Sequence, residues 1–154
     1  MKVRKIISGG QTGADLAAFD AARSVGVSYG GWVPKGRLNE AGVIANRYTN
    51  LKETPTEVNE ERTRLNVLDA DATLIISHGA LSGGSLYTIQ QAHLYQIPCL
   101  HLNLNQIENP LEALSNWLDT VDGGTLNVAG PRESEDEEIY QAVFDLLKEL
   151  LQCQ

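Results

Sequence analysis

Long apolar runs are missing from this chain of 154 residues. None approaches the roughly 20 residues that a membrane-spanning helix needs, so no membrane partner is expected and the chain should be soluble. Cysteine is scarce: Cys99 and Cys153 are too few for a disulfide framework, which sets the expectation of a reducing, cytoplasmic setting. The three histidines, His78, His93 and His101, lack the spacing of a zinc site, so no metal is expected. Basic charge is short as well. Twelve Lys and Arg stand against twenty Asp and Glu, a formal net charge of -8, which argues against a nucleic-acid backbone as partner. The opening "MKVRKIISGG" is basic, but its apolar segment is only Ile6-Ile7 and no small-residue cleavage site follows; it reads as a first strand rather than a signal peptide. Neither GxGxxG nor GxxxxGK[ST] occurs, which disfavours a standard NAD-binding or P-loop ATPase reading.

What is present is an alternation of short apolar runs and amphipathic stretches, the signature of βα units with a mostly parallel sheet. Strands are predicted at 3–7, near 29–33, at "ATLIIS" (72–77), at "PCLHLN" and at "TLNVAG". After the first strand, Ala14, Ala17, Ala18, Ala21, Ala22 and Val25 form a helical stripe of small side chains, ended by Gly26. Thr54, Pro55 and Glu57 have the spacing of a capping box with proline at the first helical position. Ser85 is placed to cap the next helix, Asn109 with Pro110 the following one, and Ser134 with Glu137 the last, whose leucines repeat on one face. The expected fold is α/β: a single Rossmann-like, doubly wound domain over residues 1–154, with about five strands and helices on both faces.

In such sheets ligands bind beyond the C-terminal strand ends, where the strand order reverses. Three strand-to-helix junctions are rich in small residues: "SGGQTG" (8–13), "SHGALSGGS" (77–85) and "AGPRES" (129–134). If the second and third strands flank the first, the first two of these loops face each other. Glycines there let backbone N–H groups approach an anion closely, and the following helix adds unpaired N–H groups and partial positive charge. The alternative is that they are only tight turns. The candidate binding residues are Gly9, Gly10, Thr12 and Gly13 in the first loop, and Gly79, Ser82, Gly83, Gly84, Ser85 and Thr88 in and after the second. Six of the twelve cationic residues (Lys35, Arg37, Arg47, Arg62, Arg64 and Arg132) fall in the loops and the one polar helix, so an acidic chain can keep a basic pocket. Lys35 and Arg37 either clamp a phosphate or stay solvated. Arg132, just before a helix start, either meets an anion or pairs with Glu133 or Glu135. Asp15 has capping-box spacing from Thr12; its functional reading is a hydrogen bond to a ligand, or catalysis. Trp32 and Tyr48 are candidate stacking groups and His78 ends the third strand within reach of a ligand, whereas Asp69 and Asp71 read as turn residues at the opposite edge. Ser8 has no recognisable His-Asp partners.

"SGGQTGADLAAFDAA", "GGWVPKGRLNEAG", "ERTRLNVLDADATLIISHGALSGGSLYT" and "NVAGPRESE" together resemble the family called "putative molybdenum carrier" and cover most of the chain outside residues 97–123. That family is more distantly similar to the Rossmann-like LOG (Lonely Guy) phosphoribohydrolases and DprA proteins, which use Gly-rich loops for nucleotides or their derivatives. The hydrolase signature has an Arg-Lys pair on a helix, then a strand, then PGGxGTxxE, with the Arg and the Glu implicated in catalysis. Here Arg62 matches the Arg, Thr63 replaces the Lys, and Gln90-Gln91 stand where carboxylates are expected. Glutamine cannot exchange a proton as a carboxylate does. The resemblance therefore implies binding of a phosphate-bearing nucleotide, a molybdenum cofactor or molybdate, with hydrolysis of a nucleotide-derived substrate by Arg62 and Asp15 as the alternative. It also implies a homo-oligomer, for which the sparse helix from Thr54 to Leu68 or the leucine-rich last helix would supply the interface.

Overall fold

The computed structural model describes residues 1–154. Six strands build the main sheet: β1 (Lys5–Ile7), β2 (Ser28–Val33), β5 (Leu51–Glu53), β6 (Ala72–Ser77), β7 (Cys99–Asn103) and β8 (Thr125–Ala129). Their spatial order is β5-β2-β1-β8-β6-β7, and every pairing is parallel. A small antiparallel hairpin, β3 (Leu38–Asn39) with β4 (Gly42–Val43), projects from the segment between β2 and β5. The helices are α1 (Ala14–Ser24), α2 (Asn59–Asp69), α3 (Gly83–Leu94), α4 (Pro110–Leu118) and α5 (Ile139–Cys153). α1 packs on α5, which also meets α4, while α2 packs on α3. No helix is long and apolar enough to cross a membrane.

The order of the sheet differs from the expected flanking in one consequential respect. β8, not β6, is the second neighbour of β1; Ile6 stands opposite Leu126, and Leu74 opposite Val128. The Gly-rich loops after β1 and β6 therefore have the loop after β8 between them. A buried bond from Asn127 Nδ2 to Thr73 Oγ1 (3.2 Å) helps to seat β8 against β6.

Burial explains the elements. All six residues of β6 are buried, as a central strand covered on both faces requires. The alanine stripe of α1 (Ala14, Ala17, Ala18, Ala21 and Ala22) is fully buried, and small side chains let the helix lie close to the sheet. Against it sit Val143, Leu146, Leu147, Leu150 and Leu151 of α5, so the leucine face of the last helix is spent in the chain's own core rather than left for a partner. Asn109 caps α4, its Oδ1 accepting the Glu112 N–H at 3.1 Å.

Three helix starts depart from the expected caps. α2 begins at Asn59, not after Thr54, because the preceding residues are taken up elsewhere: Leu51–Glu53 pair along β2, Thr54 N donates to Val33 O, and Lys35 N donates to Thr56 O. α5 begins at Ile139, since Ser134 is bound through both its N and Oγ to Glu40. Ser82, not Ser85, is the N-cap residue of α3, and it makes no side-chain capping bond.

Candidate functional site

The loops after β1, β6 and β8 open, together with α2, into a cleft of about 410 Å³ at the C-terminal edge of the sheet. Of the candidate residues, Gly9, Asp15, Arg62, Gly83, Gly84, Ser85, Thr88 and Arg132 line it. The remaining candidates lie elsewhere. Gly10, at φ 73°, is wedged where a Cβ would stand 2.8 Å from both Ile44 and Val33. Gly13, at φ 76°, lies against the Pro131 carbonyl. Thr12 donates its hydroxyl to Glu40 and accepts the Glu133 N–H at 3.0 Å. Lys35 is exposed, and Arg37 spends Nη2 on the carbonyls of Ala45 (3.0 Å) and Tyr48 (2.9 Å), clasping the loop that follows β4. Gly79 bonds Asn103, and Ser82 belongs to a small pocket beside His78. The glycines of "SGGQTG" thus divide: one faces the cleft and two allow the loop to fold.

Arg62 is the centre of the cleft. It is only 8% exposed, and its one side-chain hydrogen bond runs from Nη1 to the Gly9 carbonyl at 2.7 Å. No buried side-chain nitrogen or oxygen lacks a partner anywhere in the chain, so its remaining donors reach the open space of the cleft. One helical turn later Asn66 is buried too, accepting the Trp32 N–H at 2.8 Å and donating to the Trp32 carbonyl at 3.0 Å. This two-way clasp fixes α2 to β2 and so aims Arg62. Burial opposes the charge of Arg62, while Asp15 and Glu60 support it.

Asp15 shares the cleft and is 6% exposed. Its Oδ2 accepts the Gln11 N–H at 3.1 Å, and it forms no ion pair within 4 Å. Burial pushes its pKa up to about 6, against the opposing pull of Arg62 and of the Gln11 and Gly9 N–H groups. A carboxylic acid poised near neutrality inside a cleft is a feature of functional sites.

Across from Arg62, α3 presents its N-terminus. The N–H groups of Gly83, Gly84 and Ser85 have no protein acceptor, and the helix of twelve residues behind them adds the positive end of its dipole. Arg132 stands at the mouth, half exposed, held by Glu40 (3.5 Å) and Glu135 (3.3 Å). Tyr87, Asn127 and Glu60 also line the cleft and carry no sequence motif. Only the polar side chain of Asn127 in the middle of an apolar strand and the helical spacing of Asn66 from Arg62 would have pointed to those two.

The weaker candidates are placed too. Trp32 donates Nε1 to Asp69 and Tyr48 donates its hydroxyl to Asp20, neither of them in the cleft. His78 Nδ1 meets Asp136 Oδ2 at 2.6 Å, and Ser8 Oγ bonds the Asp15 carbonyl. Asp71 ties down the turn before β8 by accepting from Gly124 and Thr125. Gln90 and Gln91 do not line the cleft, so the carboxylates that do are Asp15, Glu60 and Glu135. Neither cysteine lines it, and no group of three or more His, Cys, Asp and Glu is arranged to hold a metal ion.

Comparison with known proteins agrees with this architecture. The sequence profile of the circularly permutated YpsA SLOG family matches residues 6–151. A crystal structure of a protein described as a putative molybdenum carrier, from Syntrophus aciditrophicus SB, superposes with a TM-score of 0.94 at 50% identity, covering 97% of this chain and 95% of that one. (E)-4-hydroxy-3-methyl-but-2-enyl diphosphate reductase aligns at 12% identity and a TM-score of 0.39, over 96% of this chain and 59% of that one, too distant to inform the site. No match is found among functionally curated proteins.

Proposed function

The chain belongs to the circularly permutated YpsA SLOG family, and from that premise we propose that its cleft binds a phosphate-bearing small molecule, a nucleotide or a molybdenum-cofactor-type ligand, through the oxyanion. One observation carries the reading: a guanidinium more than nine-tenths buried, with donors left over, faces the same cleft as an uncapped helix N-terminus. Burying a charge without a partner is costly, so a chain that keeps Arg62 there has a use for it. Backbone N–H groups and an Arg are the donors that hold phosphate in proteins generally. Gly83-Gly84 keep the approach open, since a Cβ at either would meet nothing within 4 Å and the ligand has that room. The donor set suits a tetrahedral oxyanion, and molybdenum would reach it through oxygen or through a phosphate of its cofactor, there being no thiolate in the cleft.

A thermal-shift panel on dialysed protein tests this, with nucleoside mono-, di- and triphosphates, NAD, ADP-ribose, molybdate, molybdopterin-type cofactor and free phosphate. A ligand at about 100 times its Kd should add roughly 2.7 kcal/mol, a shift of several degrees. The shift should vanish in Arg62→Ala; a shift that survives this change removes Arg62 from the site.

Asp15 favours a second reading, hydrolysis of a nucleotide-derived ligand. With Gln90 and Gln91 outside the cleft, Asp15 is the carboxylate beside Arg62 able to exchange a proton near pH 6. Under this reading Asp15→Asn abolishes turnover of whichever ligand binds, and unchanged turnover would sink it.

A further inference from the structure

We propose that Asp15 is the proton donor of the site: it takes up a proton as the oxyanion binds and meets the ligand as a neutral carboxylic acid. This rests on the oxyanion-binding reading above. The only cation acting on Asp15 is Arg62, at a distance beyond an ion pair, and Arg62 already gives Nη1 to Gly9. One Asp15 oxygen, Oδ2, is engaged by Gln11 N–H. The Gly9 N–H also draws on this carboxyl, and Asp15 lines the same cleft as Arg62, so an anion seated on Arg62 shares its space.

An anion that docks on Arg62 takes over the one charge that favours ionised Asp15 and adds a negative charge of its own to the same desolvated space. Two like charges in one site cannot both persist at low cost, and the cheaper outcome is one proton between them. Beyond the partial charge of the α3 N-terminus, the surroundings offer no free cation to neutralise the added charge. From α2 comes Glu60 besides Arg62, and from the loop after β8 come Glu135 and an Arg132 already held by Glu40 and Glu135. Glu40 is engaged by Thr12, Ser134 and Arg132. α3 and β8 contribute only uncharged groups: Ser85, Tyr87, Thr88 and Asn127. Asp15 is therefore the group that titrates on binding, and in the complex it is a hydrogen-bond donor to the ligand.

The test is calorimetric titration of the whole chain with adenosine monophosphate and with sulfate, each from pH 5.5 to 8 in two buffers of different ionisation enthalpy. Sulfate does not titrate in this range, so any proton it brings in belongs to the protein. The wild type is expected to take up close to one proton per sulfate at pH 7.5, with affinity falling up to about tenfold per pH unit above the Asp15 titration. Asp15→Asn should bind sulfate with no uptake and no pH dependence. Wild-type binding of either anion without proton uptake at pH 7.5 overturns the proposal, as does an Asp15→Asn variant that keeps the wild-type profile. If neither anion binds at any pH, the oxyanion reading itself fails, a result distinct from binding without a proton. Because the wild type alone supplies the decisive proton count, the test stands even if the variant does not fold.

Discussion

Gly9 and Arg62 are in contact in a way that no other residue at position 9 would permit: a Cβ there would stand 2.6 Å from Arg62 Nε and 2.7 Å from its Cδ. The φ of Gly9 is not in the left-handed region, so alanine fits the backbone, and the three atoms nearest its Cβ all belong to the Arg62 side chain. Gly9→Ala should consequently leave the protein folded, with a loss of about 1 kcal/mol as the bond from Arg62 to the Gly9 carbonyl is given up. Ligand-induced stabilisation should fall to near zero because Arg62 is displaced. A thermal-shift titration checks both halves, and retained ligand response with a normal Tm would show that Arg62 accommodates the methyl group.

Gly13→Ala should behave in the opposite manner. Gly13 has φ 76°, and its Cβ would lie 2.5 Å from the Pro131 carbonyl oxygen and 2.9 Å from the Glu133 nitrogen, backbone atoms that cannot turn aside. Left-handed strain and overpacking together should cost about 3 kcal/mol, or roughly 10 °C in a domain of this size. Chemical denaturation reads this directly. The two substitutions, four residues apart, separate a glycine that makes room for the site from one that makes room for the fold.

Asp15 should destabilise the folded protein at neutral pH. Its folded pKa, about 6, lies above the ordinary value of 3.8. Between those values the native state holds more protons than the unfolded one, so stability falls as pH rises from about 4 to 6 and stays lowered above. The penalty is on the order of 3 kcal/mol. Asp15→Asn, which cannot ionise, should be more stable than the wild type at pH 7.5 and match it near pH 4. Urea denaturation at both pH values measures the difference; equal stabilities at pH 7.5 would mean that Asp15 is not held in an unfavourable charge state.

Much of this was readable from the residues, and the failures share a cause. "ATLIIS" announced β6 to the residue because a strand buried on both faces needs an unbroken apolar run. Asn109-Pro110 announced α4 because that cap is purely local. Thr54 and Ser134 carried equally good local signals and failed, since both are drawn into tertiary bonds, Thr54 to Val33 and Ser134 to Glu40, that pattern alone does not reveal. β5 was missed for a related reason: "LKE" has no strand signature and is a strand only because β2 offers an edge. For the site, Arg62 and the Gly83-Gly84 loop were legible. Asn66, Asn127 and Tyr87 were not: Asn66 acts through Trp32 of β2, Tyr87 through the approach of α3 to α2, and Asn127 through β8 entering between β1 and β6, all matters of spatial order that no local pattern encodes.

Glu40 offers a test of how the rim of the cleft is held. From the β3–β4 hairpin its carboxylate accepts the Thr12 hydroxyl, the Ser134 N–H (3.1 Å) and the Ser134 hydroxyl (2.5 Å), and stands 3.5 Å from Arg132 Nε. Those contacts, led by Ser134 and then Thr12, hold its pKa below the usual carboxylate value. A depressed folded pKa means that the stabilising contribution is present above the unfolded value and is lost as pH falls through the folded one. The clip joining hairpin, first loop and the loop after β8 should accordingly hold at neutral pH and open only in acid. In Glu40→Ala it should be open throughout, with faster amide exchange at Ser134 and easier proteolysis between Leu38 and Val43, while β6 and β8 keep wild-type protection. Since Arg132 then answers only to Glu135, it is freer to turn toward a bound anion. Hydrogen exchange at pH 7 and in acid distinguishes the cases: wild-type protection of Ser134 in Glu40→Ala would assign the rim to backbone packing instead of this one carboxylate.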